Sequence, residues 1–207
     1  MSLRTIIMTF DILIFDGFDE LDALAPFEVL QNAKSAGVTA RLVSMGGTEE
    51  IVAAHGLRVR PSARLDLADR PKAVIVPGGG WLDGSPKGAR AEADRGEIPK
   101  ALQALHESGI TLASVCTGAM LLAAAGILRG RPATTHHGAV PDLQNAGAEF
   151  VRARVVDDGE VVTAAGVTAG LDLGLWLVER FCGSKAACEI EAEMEYKRQG
   201  TVWRRTG

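Results

Sequence analysis

Thr111-Leu112-Ala113-Ser114-Val115-Cys116-Thr117-Gly118-Ala119-Met120-Leu121-Leu122-Ala123-Ala124-Ala125 is the stretch that decides how this chain folds. Residues 111–115 have the length and apolar character of a buried strand. Residues 117–125 are almost wholly small and apolar, as in a helix packed on all sides. Cys116 alone is left for the turn between them. Ser114 two positions before it and Gly118 two after are small enough for strand and helix to approach closely. That is the form of a nucleophile elbow, a sharp turn that exposes one side chain. A cysteine so placed also stands at a helix N-terminus, where unpaired N–H groups and the helix dipole stabilise a thiolate. Its pKa is therefore expected below the free value of about 8.5. The competing reading is a buried cysteine that fills core.

Outward from the elbow, strand-like runs alternate with helix-like runs, the pattern of a largely parallel sheet with helices on both faces. Strands are expected over residues 10–15, 40–44, 73–76 and 111–115, with extended chain over 58–65. Helices are expected over 23–36, 97–107, 117–125, 168–182 and 184–198, the last docked on the surface. Asp157-Asp158-Gly159, between 154–156 and 161–164, carries hairpin turn chemistry. The strand at 73–76 runs into Pro77-Gly78-Gly79-Gly80, a turn that glycines make easily. With no repeat or linker, residues 1–207 read as one α/β domain.

Composition agrees and narrows the function. A chain of 207 residues with 47% hydrophobic content has material for one sizeable core. Twenty-two Lys and Arg against 26 Asp and Glu give a net charge of -4. The only basic cluster is Arg204-Arg205, so nucleic acid and membrane are not expected partners. The apolar residues 6–15 are interrupted by Thr9 and Asp11 and are too short to span a bilayer. Cys116, Cys182 and Cys188 form no CxxC pair, which suits free thiols in a reducing, cytoplasmic setting. Cys182 and Cys188 read as packing residues. His136-His137 invites a metal reading, but neighbours on extended chain point to opposite faces, so no metal is expected. His55 and His106 read as surface residues.

In open parallel sheets, ligands bind beyond the carboxyl ends of the strands. Three features fall there: the acidic segment after the first strand, the glycine turn after Val76, and Cys116. The motifs are Phe15-Asp16-Gly17-Phe18-Asp19-Glu20-Leu21-Asp22 with Pro26 and Glu28-Val29-Leu30, then Val76-Pro77-Gly78-Gly79, Ser114-Val115-Cys116-Thr117-Gly118-Ala119, Ala133-Thr134-Thr135-His136, and Ala165-Gly166-Val167-Thr168-Ala169-Gly170-Leu171-Asp172. In this order they resemble the ThiJ/PfpI superfamily. The resemblance implies a flavodoxin-like three-layer sandwich of the glutamine amidotransferase-like type. Within it, the Cys-Thr-Gly-Ala elbow and the Leu-Asp carboxylate look most like the isocyanide (isonitrile) hydratase branch.

By this resemblance Asp22 reaches across to Cys116 and shares a proton with it or with a bound water. A carboxyl group beside a thiolate in a partly dry pocket has its pKa raised and can act as general acid near neutrality. Asp22 also reads as the N-cap of a helix starting at Ala23. Thr117 offers a hydroxyl and an N–H, and Gly78 and Gly79 bring further N–H groups toward developing negative charge. His136 is expected beside the cysteine without touching the reacting atoms. Trp81 and the loop to Lys87 are expected to wall the pocket. The hydratase branch commonly has tryptophan where this chain has His137, a departure that bears on the substrate pocket.

Three functions stay open. The first is isocyanide hydration, in which Cys116 attacks a small-molecule substrate and no cofactor is required. The second is another cysteine-dependent activity, such as a peptidase, glyoxalase or deglycase. Thr117 stands where the peptidase branch has histidine, and Asp22 where the glyoxalase-type branch has Glu. The third is redox sensing through oxidation of Cys116. About ten residues follow the last expected helix, so no DNA-binding module is expected. A homodimer is expected by resemblance.

Overall fold

Short aliphatic runs, buried on both faces, build the centre of the molecule. In the computed structural model, which describes residues 7–205, the strand Ala73–Val76 is wholly buried. Residues 1–6 and 206–207 of the expected domain lie outside the described residues. Ala73–Val76 pairs in parallel with Met8–Leu13 on one side, Phe10 opposite Ala73, and with Thr111–Ser114 on the other, Val76 opposite Ser114. Eight strands continue this sheet in the order Trp203–Arg204, Val155–Asp157, Val161–Ala164, Thr111–Ser114, Ala73–Val76, Met8–Leu13, Val38–Ser44, Ala63–Arg64. The pairing is parallel except between Val155–Asp157 and Val161–Ala164, the expected hairpin. Side chains such as Ile75 and Leu112 are fully buried, each contributing roughly 1.5–3 kcal/mol.

Helices cover both faces. Glu20–Asn32, Ala169–Cys182 and Ser184–Glu193 pack together in one layer; Ala89–Arg95, Glu97–Glu107, Gly118–Ala124 and Val140–Asn145 form the other. This is the expected three-layer α/β sandwich with a mostly parallel sheet. Among the described residues no helix is long and apolar enough to cross a membrane.

Several boundaries move, for local reasons. The first helix begins at Glu20, before Ala23, because the Asp19 side chain accepts from the Leu21 N–H at 3.2 Å and caps it. Asp22 is therefore inside the first turn and is not the N-cap. The extended segment at 58–65 is split around Pro61: Arg58–Val59 pairs with Ile51–Val52, and Ala63–Arg64 joins the main sheet. The last helix ends at Glu193, since Glu195 takes φ 49° and Tyr196 turns back to hydrogen-bond Asp172. The elbow helix is buried through Leu122 and opens to solvent at Ala124. Cys182 is half-buried against the core, but Cys188 is exposed and so does not serve packing.

Candidate active site

The elbow forms because the backbone around Cys116 is fixed on both sides. Its N–H donates to Ala165 O at 2.9 Å and Ala164 O at 3.2 Å, and the Val115 N–H donates to Val76 O at 3.0 Å. Cys116 itself takes φ 57°, a left-handed conformation that costs an L-residue roughly 1–2 kcal/mol. Such strain persists only where the surroundings over-determine it. The helix after it can start only because residue 118 is glycine: a Cβ there would lie 2.0 Å from Val76 O.

Cys116 is 6% exposed and forms part of a cavity of about 200 Å³ with Asp19, Trp81, Leu82, His136 and Val167. Of the loop from Trp81 to Lys87 expected as a wall, Trp81, Leu82 and Asp83 line the cavity and residues 84–87 do not. Asp22 reaches the sulfur from the first helix. Its side chain is fully buried and within hydrogen-bonding reach of Cys116; Oδ2 accepts from the Gly78 N–H at 2.9 Å, and Oδ1 is buried with no hydrogen-bond partner.

Burial, and next the charge of Asp19, raise the Asp22 pKa to about 7, against the Gly78 N–H and the thiol, which lower it. Burial, followed by the Asp22 charge, pushes the Cys116 thiol up to about 12; the Val167 and Thr117 N–H groups oppose this. The expected lowering of the thiol pKa is therefore corrected: burial and a neighbouring carboxylate outweigh the end of a seven-residue helix. The pair accordingly retains a proton at neutral pH, and a thiolate forms when that proton passes to Asp22.

The glycine turn is used differently from expectation. The Gly78 N–H is bound by Asp22, and the Gly79 N–H donates to Thr117 Oγ1 at 3.0 Å. The N–H groups that meet the sulfur belong to Thr117 and to Val167. Val167 takes φ 37°, an outlier for a β-branched residue. It was not singled out from the sequence, although it lies inside the Gly166-Val167-Thr168 motif. A second strained residue thus faces the first across the pocket.

His136 lines the Cys116 cavity, with Nδ1 accepting from the Gly138 N–H at 3.2 Å. Burial, then His137, lower its pKa, leaving a neutral ring with its proton on Nε2. The two histidine rings do not point to opposite faces. Their centroids are 4.1 Å apart because the chain leaves the extended form for a tight turn at His137–Ala139. No group of three His, Cys, Asp or Glu suited to a metal occurs among the described residues. Thr135 Oγ1 donates to Cys116 O at 2.9 Å, tying the Thr-Thr-His segment to the elbow. His137 lines a different cavity, of about 550 Å³, with Phe150 and Arg152. His55 is exposed and bonds to Glu20 at 2.6 Å; His106 is half-buried.

Known proteins resemble this chain in sequence and in fold. Isonitrile hydratase of Pseudomonas putida is 32% identical over 184 residues, 89% of this chain and 76% of that protein. A deglycase of Thermococcus kodakarensis is 32% identical over 155 residues, 74% of this chain and 87% of that protein. Among solved structures, Drosophila melanogaster DJ-1beta superposes with a TM-score of 0.81 at 21% identity, covering 93% of this chain and 100% of that one. A ThiJ/PfpI family protein from Pseudomonas syringae gives a TM-score of 0.77 at 27% identity, covering 96% and 79%. The model of the DJ-1/PfpI family matches residues 9–180, which contain the carboxyl, the glycine turn and the elbow. The chain belongs to the DJ-1/PfpI family.

Proposed function

We propose that this protein is a cysteine-dependent hydratase that converts isocyanides to N-formamides, with Cys116 as nucleophile and Asp22 as the group that moves protons. The observation that carries the reading is the Asp22 carboxyl: fully buried, raised to about 7, in reach of the thiol and with one oxygen free of partners. Such a group is protonated often enough near neutrality to act as an acid, and ionised often enough to act as a base.

The steps follow from that pair. Cys116 passes its proton to Asp22, and the thiolate, favoured by the Thr117 and Val167 N–H groups, attacks the terminal carbon of R–N≡C. Asp22 gives its proton to the same carbon, forming the thioimidate R–N=CH–S–Cys116. The Asp22 carboxylate then takes a proton from water as the water oxygen bonds to carbon. One water hydrogen ends on nitrogen and the other on Asp22, while the C–S bond breaks to release R–NH–CHO and the thiolate. Atoms and charge balance with water as the only co-substrate.

Thr117, whose hydroxyl accepts from the Gly79 N–H, occupies the position directly after the cysteine in the chain, where the peptidase branch has histidine, which counts against peptidase chemistry. The deglycase relative favours a second reading, action on reactive carbonyls, so the test runs both. Purified protein and Cys116→Ala are given an alkyl isocyanide, methylglyoxal and a peptide. Formamide production that disappears in Cys116→Ala is the expected result. Lactate from methylglyoxal with no isocyanide turnover overturns the proposal, as does hydration that survives the substitution.

A further inference from the structure

The wall of the Cys116 cavity is tied down by contacts that serve no evident purpose in the elbow. Trp81 follows the glycine turn, and its indole Nε1–H donates to Asp142 Oδ2 at 2.7 Å. Asp142 sits on the helix Val140–Asn145, just beyond the His136 turn. Arg90, from the helix Ala89–Arg95, donates through Nε to Trp81 O at 2.8 Å, and its guanidinium lies 4.4 Å from the centroid of the Trp81 ring. The same guanidinium reaches Asp142 Oδ2 at 3.4 Å. Trp81 is thus held at its indole N–H, its ring face and its backbone carbonyl by two residues from two different helices.

Next to it, Leu82 is 55% exposed yet crosses to the His136 turn. A Cβ on Gly138 would lie 2.6 Å from Leu82 Cδ1. The glycine loop is therefore joined at two points to the segment that follows His136, by Leu82 to Gly138 in the turn and by Trp81 to Asp142 in the helix after it. Trp81 packs its inner side against the core whereas Leu82 is exposed, and both line the space in front of the sulfur. A cavity of about 200 Å³ is below the usual size of a drug-like site. A wall held in place limits it to small groups.

We propose that Trp81, held by Asp142 and Arg90, and Leu82 beside it set the size of the substituent that reaches Cys116. Asp142 and Arg90 act only through the indole and are positioning residues. The inference deepens the hydratase reading, for which it names small, apolar substituents on the isocyanide, but its test does not depend on that reaction.

Cys116 is alkylated with iodoacetamide and with N-substituted maleimides of rising bulk, and the modified Cys116 peptide is followed by mass spectrometry so that Cys182 and Cys188 do not contribute. In the native protein the rate falls with bulk. Asp142→Ala and Leu82→Ala are each expected to raise the bulky-to-small rate ratio by about tenfold, the scale on which a pocket discriminates one small apolar group. Asp142→Asn keeps an acceptor for the indole N–H and restores the native ratio, which general loosening of the fold does not predict. Trp81→Phe keeps an aromatic ring but loses the N–H and part of the indole's volume, and shifts the ratio in the same direction as Asp142→Ala. If Asp142→Ala does not fold, as judged by its thermal melt, Trp81→Phe and Leu82→Ala decide. A ratio unchanged in the folded variants, or bulky and small reagents affected alike, overturns the proposal. Failure of isocyanide turnover with the ratio shifting as stated overturns the hydratase reading and leaves the wall assignment standing.

Discussion

Asp22 and Cys116, brought together from the first helix and the elbow, form a buried acid pair in which burial raises both groups, the Asp22 charge further opposes ionisation of the thiol, and the thiol's contact draws the carboxyl back down. With the carboxyl raised to about 7 and the thiol to about 12, the pair holds two protons below neutrality and one above it. Only the singly protonated pair can place its proton on Asp22 and leave a thiolate. Alkylation of Cys116, and turnover with it, is expected to rise as pH passes about 7 and then level off. In Asp22→Asn the plateau disappears, because the thiol must lose its proton to solvent, and the rate keeps rising into alkaline solution. A flat native profile between pH 5 and 9 would sink this account.

The same carboxyl makes a prediction about stability. Its ordinary value is 3.8 and its folded value about 7. Between these pH values the native state holds a proton that the unfolded chain has released, so its stabilising contribution is complete below about pH 4. It is lost as pH rises through about 7. Asparagine cannot ionise and keeps an oxygen for the Gly78 N–H. Asp22→Asn is therefore expected to be more stable than the native protein at pH 8, by an amount approaching about 4 kcal/mol, and close to it at pH 4. Urea unfolding at the two pH values checks this. An equal difference at both would mean that the buried charge is not what separates them.

Gly118 gives the steric prediction. A Cβ 2.0 Å from Val76 O, a backbone atom, cannot be absorbed by a side-chain rotation. Gly118→Ala must move the strand end against the helix and is expected to cost about 3 kcal/mol while lowering Cys116 reactivity. Gly46 is the control, since nothing lies within 4 Å of a Cβ built on it and its φ is not left-handed. Gly46→Ala should stay within about 0.5 kcal/mol of the native protein. Comparable losses at both positions in denaturant titrations would refute the close approach at the elbow.

Where sequence reading succeeded, the signal was local and dense. Residues 73–76 and 97–107 were legible to the residue, because a wholly apolar run and a regular amphipathic period each have sharp ends. The elbow was legible for the same reason: Ser114, Cys116 and Gly118 stand at fixed offsets. Illegible features depended on distant partners. That the Gly78 N–H is taken by Asp22 and the Gly79 N–H by Thr117 is a matter of which loop meets which. The thiol pKa was misjudged because a helix terminus is visible in sequence whereas depth of burial is not. Val167 was overlooked because a valine at positive φ has no sequence signature. The helix Val140–Asn145, only six residues long, has too few turns for a period to show.

Asp172 offers the last test, because it connects this overlooked loop to the end of the chain. Its carboxylate is buried and accepts from Arg154 Nε at 2.9 Å and Nη2 at 2.5 Å, from the Tyr196 hydroxyl at 3.1 Å, and from the Gln199 N–H at 2.7 Å. Arg154 in turn donates to Thr168 Oγ1 at 3.2 Å, next to Val167. Removing the carboxylate leaves the Arg154 guanidinium, whose side chain is 31% exposed and so open to water, together with the Tyr196 and Gln199 donors, without their acceptor, a loss of charge-assisted hydrogen bonds worth about 1.5–3 kcal/mol. Asp172→Ala is expected to lose that much stability in urea. It should also slow Cys116 alkylation at pH 8, since the loop that brings the Val167 N–H to the sulfur loses its anchor. Asp172→Asn retains oxygen for the Gln199 N–H but not the charge for Arg154, and should fall between the two. Native-like alkylation in a destabilised Asp172→Ala would show that the Val167 loop keeps its position without Arg154, and that the carboxylate serves stability alone.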